Sequence, residues 1–447
     1  MNQVSQDLFN RFRPAEVKSS KRLKVAVAGG GPSGLLLVWK LLNGGAIVSV
    51  FEKRGVYKLD QATDARSYNV TADALGLRSF GRLGNLIYGA GTIVDGRAIH
   101  SLSGACWTHP YGHRPSDLLV SVPRGDLLAL LTGTILGHPQ CTLNFDCEVV
   151  DADPTTGTVR WKSMADQSQH ELTGLDLIVF ADGVHGLGQR KAKGQPGVSA
   201  TSESRTPYLN LTVSEDAVKR SKLELDKIHF FPAPDDESLG IGLPNFNGTI
   251  SLLIEAQVHT NHKGEEIWLF TGQTPFSPYS SVFTKREDAD RYLQAQNPQL
   301  ADVLKDLPDE QILNKRPNYF YESFINSWRI GRMGVLVGDA GSCAPPWAGF
   351  GMNLACSHAA DLAELITQST DLEAALKLYN KRRQKCTDVV KRVIREHGAL
   401  LNSGIGSQRW RREQAIRDQR ERTLGERSEY QIVAFDEQGL EELAGLA

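Results

Sequence analysis

Three glycines, Gly29, Gly31 and Gly34, stand with the spacing G-x-G-x-x-G inside VAVAGGGPSGLLLVWKLL (Val25 to Leu42). An apolar run precedes them and a helix-like run follows. If a pyrophosphate sits on this turn, each glycine has its own task. The first permits a tight turn, the second lets phosphates approach backbone N–H groups, and the third lets helix and strand pack closely. The helix N-terminus adds free donors and the positive end of a dipole. Glu52 closes the following strand, about twenty residues on, where an acid accepts hydrogen bonds from a ribose diol. Glycine turns also arise for purely structural reasons. The strand before, the helix after and the acid beyond favour a dinucleotide, and the motif leaves FAD and NAD both open.

The elements around the turn read as one compact unit. LKVAVAGGG is a buried strand, SGLLLVWKLLNGG a helix closed by Gly44 and Gly45, and AIVSVFEKR the next strand. PRGDLLALLTGTI reads as a helix. CTLNFDCEVVDAD and GTVRWKS read as strands around a turn at Pro154 to Gly157, and LDLIVFADG as a third buried strand. After about Gly194 the texture changes. KIHFFPAPDDESLGIGLPNFNGTISLLIEAQV has short apolar runs separated by Pro, Gly, Asn and Asp, the punctuation of antiparallel hairpins. Near MGVLVGDAGS the first texture returns, with a helix from about Gly351. From Leu372 onward the chain reads as helices.

The chain has 447 residues, a formal net charge of -2, 40% hydrophobic and 23% charged residues, an ordinary globular composition. The near-neutral balance argues against nucleic acid as a partner. The basic stretch Arg409 to Arg422 also holds acids and reads as a solvated helix face. Six scattered cysteines show no metal-ligand spacing and read as free thiols in a reducing compartment. The first twenty residues are polar, lack the apolar core of a signal peptide and read as a loose arm. No apolar run approaches eighteen residues, so no membrane span is expected and the cytoplasm is the expected location. The oligomeric state, monomer or homodimer, stays open.

Three further stretches carry a resemblance. VPRGDLLALL places Arg124 at a helix start, DLIVFADG ends in Asp182 and Gly183, and GVLVGDAGSCAPPWAGFGMN holds Asp339 ahead of a glycine-flanked turn. In order and spacing these resemble the FAD-associated motifs of single-component (group A) aromatic monooxygenases of the para-hydroxybenzoate hydroxylase fold, over roughly residues 23 to 395. The stretches Ala65–Gly84, Asp95–His100, His109–Arg114 and Leu239–Ile254 are similar to the kynurenine 3-monooxygenase-like subgroup. The fold class implied is α/β: a Rossmann-like FAD-binding domain (23–84, 113–190 and 316–371) interrupted by an antiparallel β-sheet substrate domain (85–112 and 191–315). A flexible arm (1–22) precedes it and a helical C-terminal region (372–447) follows.

By this resemblance Gly29, Gly31, Pro32, Ser33 and Gly34 hold FAD, with Glu52, Lys53, Arg54, Arg66 and Arg124. Asp182, Gly183, Asp339, Gly349, Gly351, Met352 and Asn353 complete the cofactor site. Arg97, Tyr111 and Asn353 position the substrate's carboxylate, with Pro346 beside them; a guanidinium binds a carboxylate as a two-point fork. NADPH or NADH reduces the flavin, dioxygen adds at its C4a carbon, and the hydroperoxide oxygenates an aromatic amino acid or aryl carboxylate related to kynurenine. Two other readings stay open: oxygenation at nitrogen of an aromatic amine, and an FAD-holding protein without oxygen transfer. Trp347, Phe350, Phe230 and Phe231 are candidate pocket walls; His100, His109 and His229 are weak candidates for a base. The chain departs from the family pattern at Ser342 (usually His), Phe350 (usually Gln) and Gly186 (usually Ser, with the arginine shifted to Arg190). Its charged tail also differs from the membrane-associated segment common in that subgroup.

Overall fold

Lys24–Ala28 (KVAVA) carries four consecutive buried residues, as a strand covered on both faces must. It pairs in parallel with Ile47–Glu52 on one side and Leu177–Phe180 on the other. The structure, a computed structural model, describes residues 9, 11–15, 22–56, 68–234, 239–255, 257–260, 266–269, 283–315, 318–346, 349–401, 405, 408–436 and 438–446. The first sheet has six strands, in the order Arg329–Ile330, Gly334–Leu336, Leu177–Phe180, Lys24–Ala28, Ile47–Glu52 and Cys141–Phe145. Only the Arg329–Ile330 edge runs antiparallel to its neighbour. The helix Pro32–Asn43 buries nine of its residues in the core it shares with this sheet.

The second sheet has eight strands: Ser342–Cys343, Asn318–Ile325, Ala200–Val213, Ile250–Glu255, Leu239–Pro244, Lys227–Pro232, Gly96–His100 and Cys106–Pro110. The hairpins read from the punctuation are present, but the sheet is mixed. Lys227–Pro232 runs parallel to Gly96–His100. A tight hairpin forces antiparallel pairing; a long connection between two strands leaves their direction free. A small sheet of Asn69–Ala72, Leu119–Pro123 and Thr92–Val94 meets the large one through a buried amide. Asn69 Nδ2 donates to Asn245 Oδ1 at 2.7 Å and Pro244 O at 3.1 Å, and Asn69 Oδ1 accepts from Ser251 Oγ at 2.8 Å.

Two expectations need correction. The N-terminal arm is docked where it is described: Phe9 is buried against Gly133, and Phe12 O accepts from Trp39 Nε1 at 2.7 Å. Aromatic burial holds it there despite the polar surroundings. The basic stretch after Gln408 is not only a solvated face. The helix Gln408–Leu424 lies along the edge strand Cys106–Pro110: Arg411 sits over Trp107 at 4.4 Å, His109 Nε2 is 3.2 Å from Asp418, and Trp410 is buried. A helix here covers the sheet edge. Among the described residues no helix is long and apolar enough to cross a membrane.

Candidate active site

The phosphate turn has the surroundings its three glycines require. Gly29 has φ +104° and a Cβ there would lie 2.2 Å from Ala181 O, so no side chain fits. A Cβ on Gly34 would meet Gly29 O at 2.2 Å, the close helix–strand approach. A Cβ on Gly31 would meet no atom within 4 Å, so this position faces open space at the start of the helix. Pro32 occupies the first turn and no side chain caps that end, which leaves its N–H donors to a ligand. Ser33 is buried, and a Cβ on Gly338, at φ +67°, would strike its Oγ. The buried Glu52 accepts from Gly30 N at 2.7 Å and Arg54 N at 2.9 Å, one bond per carboxylate oxygen. A second lone pair on each oxygen remains for a diol. Lys53 is exposed and Arg54 half-buried beside it. Arg66 lies outside the described residues, as do Trp347 and Ala348. These residues fit an FAD pyrophosphate and ribose.

Arg124 opens its helix, and its backbone N donates to Tyr68 O at 3.3 Å. Asp339 shows accessible surface yet is densely surrounded by protein, as a group lining an internal cleft is. Burial pushes its pKa up to about 6, with Arg124's cation opposing. Asp182 is pushed up to about 6 by burial, against the Gly188 N–H that its Oδ2 accepts at 3.1 Å. The Gly186 departure has a steric reason: a Cβ there would lie 2.1 Å from the Asp182 carboxyl carbon. The shifted Arg190 donates to His185 O at 2.6 Å. Gly183 and Gly349 have φ +80° and +69°. Gly349 N donates to the carbonyl of the half-buried Pro346 at 2.8 Å, and the next helix starts at Gly351 with Met352 half-buried.

Arg97, on strand Gly96–His100, is 8% exposed. Its guanidinium carbon lies 4.5 Å from the centre of the Tyr111 ring, and Nη2 donates to Tyr430 OH at 3.4 Å. No carboxylate pairs with it among the described residues. Asn353 needs correction as a carboxylate ligand. It is fully buried, Nδ2 donates to Thr71 O at 2.8 Å and Gly349 O at 3.0 Å, and Oδ1 accepts from Asp73 N at 3.2 Å. Both amide hydrogens are committed, so Asn353 fastens the turn at Gly349 to the strand Asn69–Ala72.

The candidate walls divide by strand alternation. Phe230 packs with Tyr111, Ile99, Phe350 and Phe320 on the Arg97 side. Phe231 faces the other side and stacks on His100 at 4.4 Å. His100 Nε2 and His229 Nδ1 are 2.9 Å apart on that far side, so neither stands over Arg97 as a base; His109, paired across the strands with Arg97, has its Nε2 3.2 Å from Asp418. Tyr430, His397 and Phe435 of the C-terminal helices were not foreseen. Tyr430 stacks on His397 at 4.1 Å and lies 5.3 Å from Phe350. The sequence offers one local signal: Ser428 and Gln431 form a capping box that starts a short apolar helix, Glu429–Phe435. Nothing in it tells where that helix docks.

The family model described as FAD binding domain matches residues 22–397. The chain belongs to this family. It is 27% identical over 374 residues to the kynurenine 3-monooxygenase of Salinispora tropica, covering 83% of this chain and 78% of that one. Its fold is similar to that of 2-methyl-3-hydroxypyridine-5-carboxylic acid oxygenase (TM-score 0.64, 20% identity, 87% of this chain and 94% of the other). It is likewise similar to p-nitrophenol 4-monooxygenase PnpA from Pseudomonas putida (TM-score 0.65, 16% identity, 95% and 96%). The α/β fold and FAD dependence implied by the motifs therefore hold, and the chain is an FAD-dependent monooxygenase.

Proposed function

We propose that this enzyme hydroxylates an aromatic amino acid or aryl carboxylate related to kynurenine, using NADPH or NADH and dioxygen. The balance is ArH + O2 + NAD(P)H + H+ giving ArOH + H2O + NAD(P)+. The observation that carries the reading is Arg97, a buried guanidinium with no carboxylate partner among the described residues. A buried charge is normally paired, so this one asks for an anion. The kynurenine 3-monooxygenases among the relatives agree with an aryl substrate that carries one.

FAD supplies the oxygen-activating chemistry, and the chain supplies binding, orientation and dryness. The turn at Gly29–Gly34 with Glu52 would hold the nucleotide part, and Arg124 and Asp339, whose charges interact, would hold the cofactor further along. Arg97, its guanidinium over the face of the Tyr111 ring, holds the substrate's carboxylate. Burial raises the pKa of the Tyr111 phenol, so it stays protonated and uncharged. Tyr208 and Phe320, on neighbouring strands of Arg97's sheet, stack at 3.8 Å, and Tyr68, which feels Arg124's charge, stands edge-on to them at 5.9 and 5.8 Å. This aromatic block excludes water from the space where the ring reacts. An aryl amine activates its own ring, so no base is required. All six cysteines are free thiols, which suits a cytoplasmic enzyme. Either a monomer or a homodimer is compatible with this reading.

The test is a screen of NADPH and NADH oxidation over aromatic amines, phenols and aromatic amino acids. The reading expects substrate-dependent reductant consumption, a product heavier by one oxygen and loss of one ring proton by NMR. If no aryl carboxylate stimulates the rate, the substrate reading fails. Retention of all ring protons would place the oxygen elsewhere.

A further inference from the structure

We propose that Tyr68 is a cofactor-contact residue, whose phenol O–H donates a hydrogen bond to the polar edge of the flavin ring and so favours its reduced form. The contact is to FAD and holds whatever the aryl substrate is. Tyr68 lies where the cofactor motifs meet the large sheet. On one side stand Arg124 and Asp339, near enough for their charges to act on its phenol. On the other, its ring meets Tyr208 and Phe320 edge-on, at 5.9 and 5.8 Å. Tyr68 is densely surrounded by protein yet keeps accessible surface, as Asp339 does, and the two line one internal cleft. Its O–H meets no hydrogen-bond partner among the described residues.

The position is built. Tyr68 O accepts from Arg124 N at 3.3 Å, which ties it to the start of the helix Arg124–Ile135. The next residue, Asn69, is buried and fixed to Asn245, Pro244 and Ser251. Further along the same strand, Thr71 O accepts from Asn353 Nδ2 at 2.8 Å, and Asn353 also holds the Gly349 turn. The backbone that carries the ring is therefore held on every side. Once FAD fills the cleft and water leaves it, the hydroxyl needs an acceptor from the ligand. Burial raises the Tyr68 pKa, with Arg124 opposing, so the phenol stays protonated and is a donor. The dimethyl edge of a flavin offers no acceptor; its other edge offers carbonyl oxygens and ring nitrogens. A hydride from NAD(P)H leaves that polar edge more negative, so a fixed donor there binds the reduced ring more tightly than the oxidised one.

The experiment titrates the apoprotein with FAD for its dissociation constant, and measures the midpoint potential of the bound flavin by spectroelectrochemistry. Wild type, Tyr68→Phe and Tyr68→Leu are compared. Tyr68→Phe keeps the ring and its edge-on contacts, so far-UV circular dichroism and the urea midpoint should match wild type. Oxidised FAD should bind about threefold to tenfold more weakly, the loss of one hydrogen bond. Reduced FAD should lose about threefold to tenfold more than that, which moves the potential about 14 to 30 mV more negative. Tyr68→Leu removes the ring as well, and should show the same shift in potential together with a loss of stability. An unmoved potential in Tyr68→Phe overturns the proposal, whether FAD affinity is kept, falls equally for both forms, or only substrate binding suffers. If Tyr68→Leu alone moves the potential, the ring acts and not the hydroxyl, and the proposal is again overturned.

Discussion

Gly29 and Gly31 are two residues apart, and a side chain would fail at each for a different reason. Gly31 has φ -72° and ψ 177°, a backbone any residue adopts, and open space where its Cβ would point. Gly31→Val should therefore fold, with far-UV circular dichroism near wild type, yet lose FAD, because the branched side chain fills the path of the phosphates. Loss of one or more charge-assisted bonds at the helix start should weaken FAD binding at least about tenfold. Equilibrium titration of the apoprotein with FAD checks this, and normal affinity would remove the turn from the cofactor site. Gly29→Ala should damage the fold itself, since φ is +104° and the new Cβ would collide with Ala181 O at 2.2 Å. A loss of about 2 kcal/mol or more in urea unfolding is expected. Both glycines were legible because the turn is local: strand, turn, helix and acid follow one another within thirty residues. Asn353 was not, because its role depends on Thr71 and Asp73, brought to it only by the fold.

Strand alternation decides which aromatic residues belong to the site. Phe230 and Phe231 are neighbours in Lys227–Pro232, and the pleat sends them to opposite faces of the large sheet. Phe231→Ala should act on stability, by about 3 to 5 kcal/mol, with coupling of NADPH oxidation to product unchanged in the folded fraction. Phe230→Ala should also raise hydrogen peroxide release per NADPH, because it opens the Arg97 side. Equal peroxide release from both variants would show that Phe230 does not line the pocket. The far face carries its own pH dependence. His229 Nε2 is 2.9 Å from Glu224 O and Nδ1 faces His100, and burial, with His100 next, lowers its pKa to about 4. An unfolded histidine protonates near 6.5, so this neutral histidine contributes stability above about 6.5 that is lost as pH falls toward about 4. In His229→Gln, which retains a donor for Glu224 O, the loss between about pH 7 and about pH 5 should be smaller than in wild type by about 2 kcal/mol. Urea unfolding at about pH 7 and about pH 5 measures the difference, and parallel pH profiles would contradict it. The sequence indicated that hairpins were present, since Pro, Gly, Asn and Asp punctuate them. It could not indicate that Lys227–Pro232 lies parallel to Gly96–His100, a pairing set by packing between distant segments.

At the scale of the whole molecule, the C-terminal helices cover the Arg97 side of the large sheet, and a buried ion pair fastens them. Arg427 Nη2 lies 3.0 Å from Asp117 Oδ1, with side chains 4% and 0% exposed. Asp117 Oδ2 also accepts from Arg114 N at 3.1 Å, and Arg114 reaches Asp436 at 2.8 Å. Further along, Glu441 pairs with Arg78 at 2.8 Å. These ties join the last helices to the loop that carries Tyr111 and to the helix Ala74–Phe80, whose cap Asp73 bonds Asn353. Composition marked this tail only as charged and helical, because its partners lie some three hundred residues back in the chain. Arg427→Met should leave the Asp117 carboxylate buried and unpaired, a loss of about 3 to 5 kcal/mol. Adding Asp117→Leu removes the stranded charge and should recover much of that loss, since an apolar pair of similar volume is often neutral. FAD content should stay near wild type in both, because no residue of the phosphate turn touches this pair. Affinity for an aryl carboxylate should fall in Arg427→Met, as the helix that holds the Tyr111 carbonyl through Gln431 loosens. Urea unfolding, flavin content and ligand titration of the single and double variants test these three statements together. A single variant as stable as wild type, binding the carboxylate as tightly, would mean that the C-terminal helices sit on the site without supporting it.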